Sequence, residues 1–361
     1  MWRISDRMRR RSLTRICVAL AVVLAAAGAR AADARLSGPP DHDGPVRVSL
    51  GFFLSDVNEV DERAERFEFE AILTQKWRDP RLAFDPEAAG VRERTYQGDY
   101  QFAEVFPGWW PQLILANESG AFETQSVLVR VAPDGSVTLV SEIHAIAEMP
   151  MALRRFPFDR QGFEAVFEVL GYGANRVVLV PDLETTGGLE QGVKIAQWDL
   201  LGVRLEAREY DPVYEDLHAG ALSQIAVILD MARRPAHMLK IVVLPLVFLV
   251  MLTFCVFWMD RESLGDRMDI SFIGILSVVA YQIIVSDAMP GIAYFTLMNG
   301  FLYSTYLVLA AGVVVNLAVS RMDRSGRSAQ GDRIDRISRW AVPAGFVGVN
   351  ALSAAYFLTF H

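Results

Sequence analysis

The sequence predicts a two-part membrane protein in which an all-β domain precedes four membrane-spanning helices. Three observations predict this class: 52% of the 361 residues are apolar, the mean hydropathy is +0.24, and yet 22% of the residues are charged. Apolar and charged residues must therefore be separated along the chain. The net charge of −8 lacks the basic excess of nucleic-acid-binding proteins, so we expect no nucleic-acid partner. Two cysteines are too few for a disulfide framework or a zinc site.

Residues 1–31 have the pattern of a secretory signal peptide. Six arginines within the first fifteen residues precede the apolar run Ile16–Ala27 and the small-x-small sequence Ala29-Arg30-Ala31. The apolar run is shorter than the roughly 20 residues that a membrane-spanning helix needs. We therefore predict cleavage and export, with an uncleaved anchor helix as the alternative.

Residues 32–234 are predicted to form the exported β domain. Short segments of partly alternating hydrophobicity are separated by Gly, Pro and Asp, as in the turn signal Pro133-Asp134-Gly135, and no long helical period appears. This pattern is typical of an antiparallel sandwich. The segments are Val46–Leu54, Arg66–Leu73, Gln125–Val131, Ser136–Ile143, Phe163–Leu170, Arg176–Pro181, Gly192–Leu205 and Ala221–Asp230.

Residues 235–361 are predicted to form the membrane domain. Four apolar stretches are long enough to span a bilayer. An even number of spans after an exported domain returns the C-terminus to the outside. The loop 320–339, with six Arg and three Asp, is then cytoplasmic and follows the positive-inside rule. We expect it to be a short flexible link. The predicted spans are 237–259, 266–286, 294–319 and 340–360.

The second span carries a regular stripe of side chains. Its members, which recur every three or four residues, are Asp269, Ile273, Leu276, Ala280, Ile283 and Asp287. At 100° per residue they lie within about 40° of one line on a helix. Several copies around an axis would form rings of acids that attract cations, separated by an apolar constriction. Alternatively, Asp266 and Asp269 cap the helix N-terminus. The spacing is compatible with both roles.

Residue patterns for enzyme chemistry or metal binding are missing from the sequence. The five histidines lie far apart, and there is no phosphate loop, nucleophile elbow or calcium loop. We therefore expect no enzyme activity, no catalytic residues, no resident cofactor and no metal site. The acidic stretch Asp56–Glu70 suggests modulation by a divalent cation, with a solvated loop and strand edge as the alternative.

The sequence Arg155-Phe-Pro-Phe-Asp-Arg-Gln161 resembles the signature loop of pentameric ligand-gated ion channels, the Cys-loop receptor superfamily. Met149 and Phe163 replace the two cysteines of animal members, as is usual in bacterial members. Further similar segments follow in family order over the whole mature chain; they include Trp77–Leu82, Trp110-Pro111, Arg233-Arg-Pro235 and Asp287-Ala-Met-Pro290. Val278-Val-Ala-Tyr281 is similar to the amine-gated bacterial branch in particular.

The resemblance implies a homopentamer around a central pore. Each subunit would join an immunoglobulin-like extracellular sandwich of about ten strands to a four-helix transmembrane bundle. The pore-lining residues would be Asp266 and the stripe of the second span. Agonists would bind between neighbouring sandwiches, and the family's site maps onto Glu168, Leu170, Tyr210, Leu222, Trp77 and Asn117. Leu170 and Leu222 stand where phenylalanines are expected, which weakens the case for a small amine.

Gating in such a channel requires contact between the two domains. The residues implied are Phe156, Pro157, Phe158, Asp159, Arg233 and Pro290, with Asp159 and Arg233 resembling the family's interfacial ion pair. The expected partners are a small-molecule agonist, permeant monovalent cations with Ca²⁺ as a further candidate, and the bilayer of a bacterial inner membrane. The sandwich would lie in the periplasm. A membrane-anchored ligand sensor that does not conduct is the alternative; a transporter is disfavoured, because repeats and broken helices are not visible.

Overall fold

The computed structural model describes residues 38–41, 43–188, 195, 197–212, 220–260, 263–287 and 295–360. The predicted signal peptide, residues 1–31, lies outside them. The N-terminal part of the described chain forms eleven strands. They are β1 (Val46–Asp61), β2 (Arg66–Arg78), β3 (Arg94–Gln97), β4 (Leu113–Leu115), β5 (Glu118–Val131), β6 (Ser136–Glu148), β7 (Arg160–Val169), β8 (Val177–Pro181), β9 (Gly187–Gly188), β10 (Trp198–Tyr210) and β11 (Leu222–Arg233).

The strands form two sheets. The larger sheet has the order β3-β5-β6-β2-β1-β8, with β9 paired to β1, and the smaller has the order β10-β11-β7-β4. All pairs are antiparallel except β1 with β8 and β1 with β9, which are parallel. The predicted β-sandwich is thus confirmed, with a parallel edge that alternation of residues does not signal. Most strands also extend several residues beyond the predicted segments.

Aromatic side chains fill the space between the sheets. Phe67 packs on Phe163 with ring centroids 5.2 Å apart, and Phe163 in turn meets the edge of Trp198 at 5.0 Å. Alternate residues of β2 and β6 are buried along their whole length, as a sheet with one face on the core requires. Met149 and Phe163, which were predicted to replace the two cysteines of animal members, are both fully buried. Apolar packing therefore holds this loop in place.

The sequence Trp77–Leu82 packs against the β5–β6 turn. The backbone nitrogen of Asp79 donates to the carbonyl of Gly135 at 2.8 Å. Gly135 has φ +81°, and a Cβ there would collide with the Asp79 carbonyl. Glycine is therefore required at this turn on both counts. Asp79 is buried, and its carboxylate is paired with Arg81 at 2.8 Å.

Four long helical segments follow the sandwich. They are α1 (Ala236–Trp258), α2 (Leu264–Asp287), α3 (Leu297–Arg324) and α4 (Ser328–Phe360). Among the described residues, α1, α3 and α4 are long and apolar enough to cross a membrane. With 24 residues, α2 is about 36 Å long, which is also sufficient. The predicted order of one β-sandwich and four helices is confirmed.

The prediction that residues 320–339 form a flexible link is wrong, whereas their cytoplasmic location stays a prediction. Helix α3 continues to Arg324 and α4 already begins at Ser328, so only three residues connect them. Hydropathy marks where helices leave the apolar layer but not where they end. Arginine is a good helix former, and the pair Asp335–Arg339 has the i,i+4 spacing that supports a helix.

Candidate functional site

A buried ion pair lies at the end of the sandwich from which the chain continues into the membrane helices. Arg233 is the last residue of β11, and Asp159 precedes β7. The Arg233 Nε donates to Asp159 Oδ1 at 2.7 Å and its Nη2 donates to Oδ2 at 3.3 Å. Both side chains are at most 1% exposed. The structure thus brings together the two residues that the sequence predicted as an ion pair.

Further residues surround the Arg233 guanidinium. Its Nη1 donates to Glu62. Its planar face lies 4.2 Å from the ring centroid of Trp198 and 4.8 Å from that of Phe156. Sequence reasoning missed Glu62 and Trp198, although Glu62 belongs to the acidic stretch 56–70. One buried cation is therefore matched by two carboxylates and two ring faces, and these contacts offset the cost of removing its charge from water.

The loop between β6 and β7 also contacts the membrane helices. The backbone nitrogen of Leu297, the first residue of α3, donates to the carbonyl of Arg154 at 3.1 Å. Pro157 follows Phe156 within the predicted coupling loop, and Phe158 exposes 40% of its surface near this junction. Pro290 lies outside the described residues. A displacement of the β6–β7 loop would therefore act on the N-terminus of α3 through this hydrogen bond.

The predicted stripe of α2 is uncovered in the subunit. Ile273, Leu276 and Ile283 expose 63%, 69% and 61% of their surface, and Asp266, Asp269 and Ala280 are also exposed. The side chain of Asp287 lies outside the described part of the chain. Large apolar side chains on a membrane helix contact lipid, another subunit or a pore. An exposed arc that begins with two carboxylates is unfavourable in lipid.

The opposite face of α2 packs inside the subunit. Its buried residues, spaced by four, three and four, are Arg267, Ser271, Gly274 and Val278. A Cβ at Gly274 would overlap Thr253 of α1, so the two helices touch there. Arg267 is 1% exposed, and its Nη2 donates to Asp335 of α4 at 2.7 Å. Its charge therefore points away from the stripe.

Models of one known family match both parts of the chain. The ligand-binding domain of neurotransmitter-gated ion channels matches residues 34–235. The transmembrane region of the same channels matches residues 242–332. The first match alone covers more than half of the chain. The chain belongs to the neurotransmitter-gated ion-channel family.

Several named family members are similar in sequence. A proton-gated ion channel from Gloeobacter violaceus is 27% identical over 89% of this chain and 86% of its own length. An acetylcholine receptor β subunit from Xenopus laevis is 26% identical over 76% of this chain, and a pH-sensitive chloride channel from Anopheles gambiae is 23% identical over 70%. The chain spans only 57% and 42% of these two animal proteins. The resemblance is confirmed for the family, whereas kinship with the amine-gated bacterial branch stays a prediction.

The residues expected to bind agonist in this family divide into two groups. Glu168, Leu170 and Tyr210 reach the surface, and the Glu168 carboxylate accepts a hydrogen bond from the Gln224 Nε2 at 2.7 Å. Gln224 was missed, although β11 places it directly opposite Glu168.

The other three residues make their contacts inside the subunit. Trp77 is buried and packs edge-on against Trp109 with centroids 6.2 Å apart. Leu222 is also buried. The Asn117 Nδ2 donates to the backbone carbonyls of Glu148 and Glu164 at 2.9 and 2.7 Å. All three therefore stabilise the sandwich, and their assignment to the ligand site stays a prediction.

The sandwich also contains a cavity of about 100 Å³. Its lining residues include Trp110, Phe102, Phe122 and Gln75. The Gln75 side chain is buried, and its Oε1 has no hydrogen-bond partner among the described residues.

The acidic stretch Asp56–Glu70 lies partly beside a histidine. Glu68 and Glu70 flank the His144 ring at 3.5 and 3.9 Å. In the described part of the chain, no group of three or more acidic, His or Cys side chains is arranged to hold a metal.

Proposed function

We propose that the chain is the subunit of a homopentameric, cation-selective, ligand-gated channel whose pore is lined by the exposed face of α2. The observation that carries this proposal is the arrangement of α2. Its acidic and apolar stripe is left uncovered, while its only arginine is buried on the opposite side. Five such helices around an axis would hide the stripe from lipid and expose it to water.

Cation selectivity is inferred from the charges of this chain. The relatives include an acetylcholine receptor β subunit and a chloride channel, so membership of the family does not decide the sign of the ion. Asp266 and Asp269 are exposed within the first two turns of α2, and Arg267 between them is paired with Asp335. Five copies of each acid would make the cytoplasmic mouth of the pore strongly negative.

The closed state is attributed to the apolar middle of the stripe. Leu276 and Ile283 are two turns apart on the same line of α2 and both are largely exposed. Rings of such side chains would form a constriction that excludes water and so blocks ions. Opening would tilt or rotate α2 until these side chains retract.

Gating is attributed to the Asp159–Arg233 pair and its loop. An agonist bound between neighbouring sandwiches, near Glu168 and Tyr210, would move the smaller sheet, whose strand β11 ends at Arg233. The agonist is a small molecule or a proton, since the bacterial relative is called proton-gated. Divalent cations would modulate the current through the acidic rings. We place the channel in a bacterial inner membrane, with the sandwich in the periplasm.

The test does not require a known agonist. Leu276→Ser makes the proposed constriction polar, and Leu352→Ser on α4 is the matched control because Leu352 is equally exposed but lies off the stripe. We expect a standing current for Leu276→Ser alone, reversing near the Na⁺ potential in a NaCl gradient. Reversal near the Cl⁻ potential would overturn cation selectivity. No current from surface pentamers would favour a non-conducting sensor.

A further inference from the structure

The cytoplasmic ends of three helices meet in one buried network of charges. Asp335 of α4 is 2% exposed and accepts hydrogen bonds from the Arg267 Nη2 at 2.7 Å and from the Arg339 Nη2 at 3.1 Å. Arg267 and Arg339 each have a second contact. Their Nε atoms donate to the carbonyls of Val256 and Phe257 at 2.9 and 2.8 Å. These carbonyls lie at the end of α1, and that of Val256 also accepts a hydrogen bond from the backbone nitrogen of Met259 at 3.2 Å.

Charge balance in this network depends on Asp335. A guanidinium as deeply buried as that of Arg267 requires a countercharge, because burial of an isolated ion is costly. Backbone carbonyls supply partial charge only. Arg339 is more exposed than Arg267 and is also positive, so among the described residues Asp335 is the carboxylate that pairs with Arg267. It lies on α4, the candidate span that the subunit covers least.

We propose that Asp335 determines ion selectivity from outside the pore. By neutralising Arg267 directly behind the N-terminal turns of α2, it lets Asp266 and Asp269 set the sign of the field at the cytoplasmic mouth. Arg267 and the stripe lie on opposite sides of one helix, which is about 10 Å wide. The inference rests on the proposed function, because it concerns the pore that α2 would line.

The effect expected from losing Asp335 follows from this distance. At about 10 Å and an effective dielectric constant near 20, one uncompensated charge changes the local occupancy of a cation roughly tenfold. Water in the pore screens part of this interaction. We therefore expect Asp335→Asn to lower single-channel cation conductance at least about twofold and to shift the reversal potential toward the Cl⁻ potential.

The experiment uses the leaking Leu276→Ser channel as background. Asp335→Asn is compared with Asp332→Asn, which removes the same charge from an exposed position one turn earlier on α4. The rescue variant Arg267→Gln/Asp335→Asn removes both buried charges. We expect it to restore the conductance and reversal potential of the background, because no uncompensated charge then remains behind α2. The specific readout is the shifted reversal potential of Asp335→Asn, which a loss of stability alone would not cause.

Each remaining outcome decides the inference. Equal conductance of the Asp335→Asn and Asp332→Asn channels would overturn it. If Asp335→Asn fails to assemble, assembly of the rescue variant with background conductance supports it, and failure of both variants overturns it. A background that leaks no cations would remove the proposed function and this inference together. A cation leak that is insensitive to Asp335 would remove the inference alone.

Discussion

Replacing Arg233 by alanine tests the link between the two domains. The change leaves the buried carboxylate of Asp159 and the partly buried carboxylate of Glu62 without this cation. Breaking a buried charge pair from one side costs about 3–5 kcal/mol. Loss of the contacts with Trp198 and Phe156 adds about 1 kcal/mol. We expect a destabilisation of about 4–6 kcal/mol per subunit, which is a large part of the stability of an ordinary domain.

The assay combines stability with gating. Thermal unfolding of detergent-solubilised pentamers measures stability. Currents evoked by an acid step, or by an agonist found in screening, measure gating. Arg234→Ala is the matched control, because the neighbouring Arg234 is exposed and pairs with exposed Asp199. Arg233→Lys keeps the charge, so the variant should still assemble. It loses the two-pronged contact with Asp159, so it should gate poorly. An Arg233→Ala channel with normal melting temperature and normal gating would refute the reasoning.

Three further predictions concern conduction, packing and pH. Asp269→Asn should lower cation conductance, and an unchanged conductance and reversal potential would place Asp269 outside the pore. Asn316→Leu should raise the melting temperature of the pentamer, because the buried Asn316 amide has no hydrogen-bond partner among the described residues. The control Asn350→Leu should lower the melting temperature, because the Asn350 side chain is hydrogen-bonded to Ser304 and to the carbonyl of Phe346. The Arg204 guanidinium holds the pKa of Asp230 below its usual 3.8. The Arg204–Asp230 pair therefore contributes its full stabilisation of the folded sandwich above pH 3.8, the unfolded-state pKa of Asp230. This contribution is lost as the pH falls through the lower pKa that Asp230 has in the folded state. Arg204→Gln should thus reduce the melting temperature less at pH 3 than at pH 7.

Structural features that depend only on residues close together in the sequence could be predicted from local patterns. The stripe of α2 could be found because residues three or four apart share a face of any helix. Exposure of Ile273 and Leu276, together with burial of Arg267, agrees with that spacing. The turn at Gly135 was likewise visible in three consecutive residues. Such features need no knowledge of tertiary contacts.

Features that depend on distant partners could not be predicted in this way. Residues 328–339 look like a charged linker in composition, yet Asp335 is buried because Arg267, 68 residues earlier, pairs with it. Trp77 and Asn117 occupy positions that resemble a ligand site. Their side chains turn out to face Trp109 and the backbone of β6 and β7. Sequence position alone does not show which way such side chains point.

The two buried arginine networks lie at opposite ends of α1. Arg233 precedes the helix by three residues and is fixed to the sandwich by Asp159. At the other end, Arg267 and Arg339 hold the last carbonyls of α1 to α2 and α4. Close packing at Gly274 and Thr253 joins α1 to α2 between these points. Since buried charge networks have few alternative arrangements, a displacement of β11 is expected to move α1 as a unit and carry the acidic end of α2 with it.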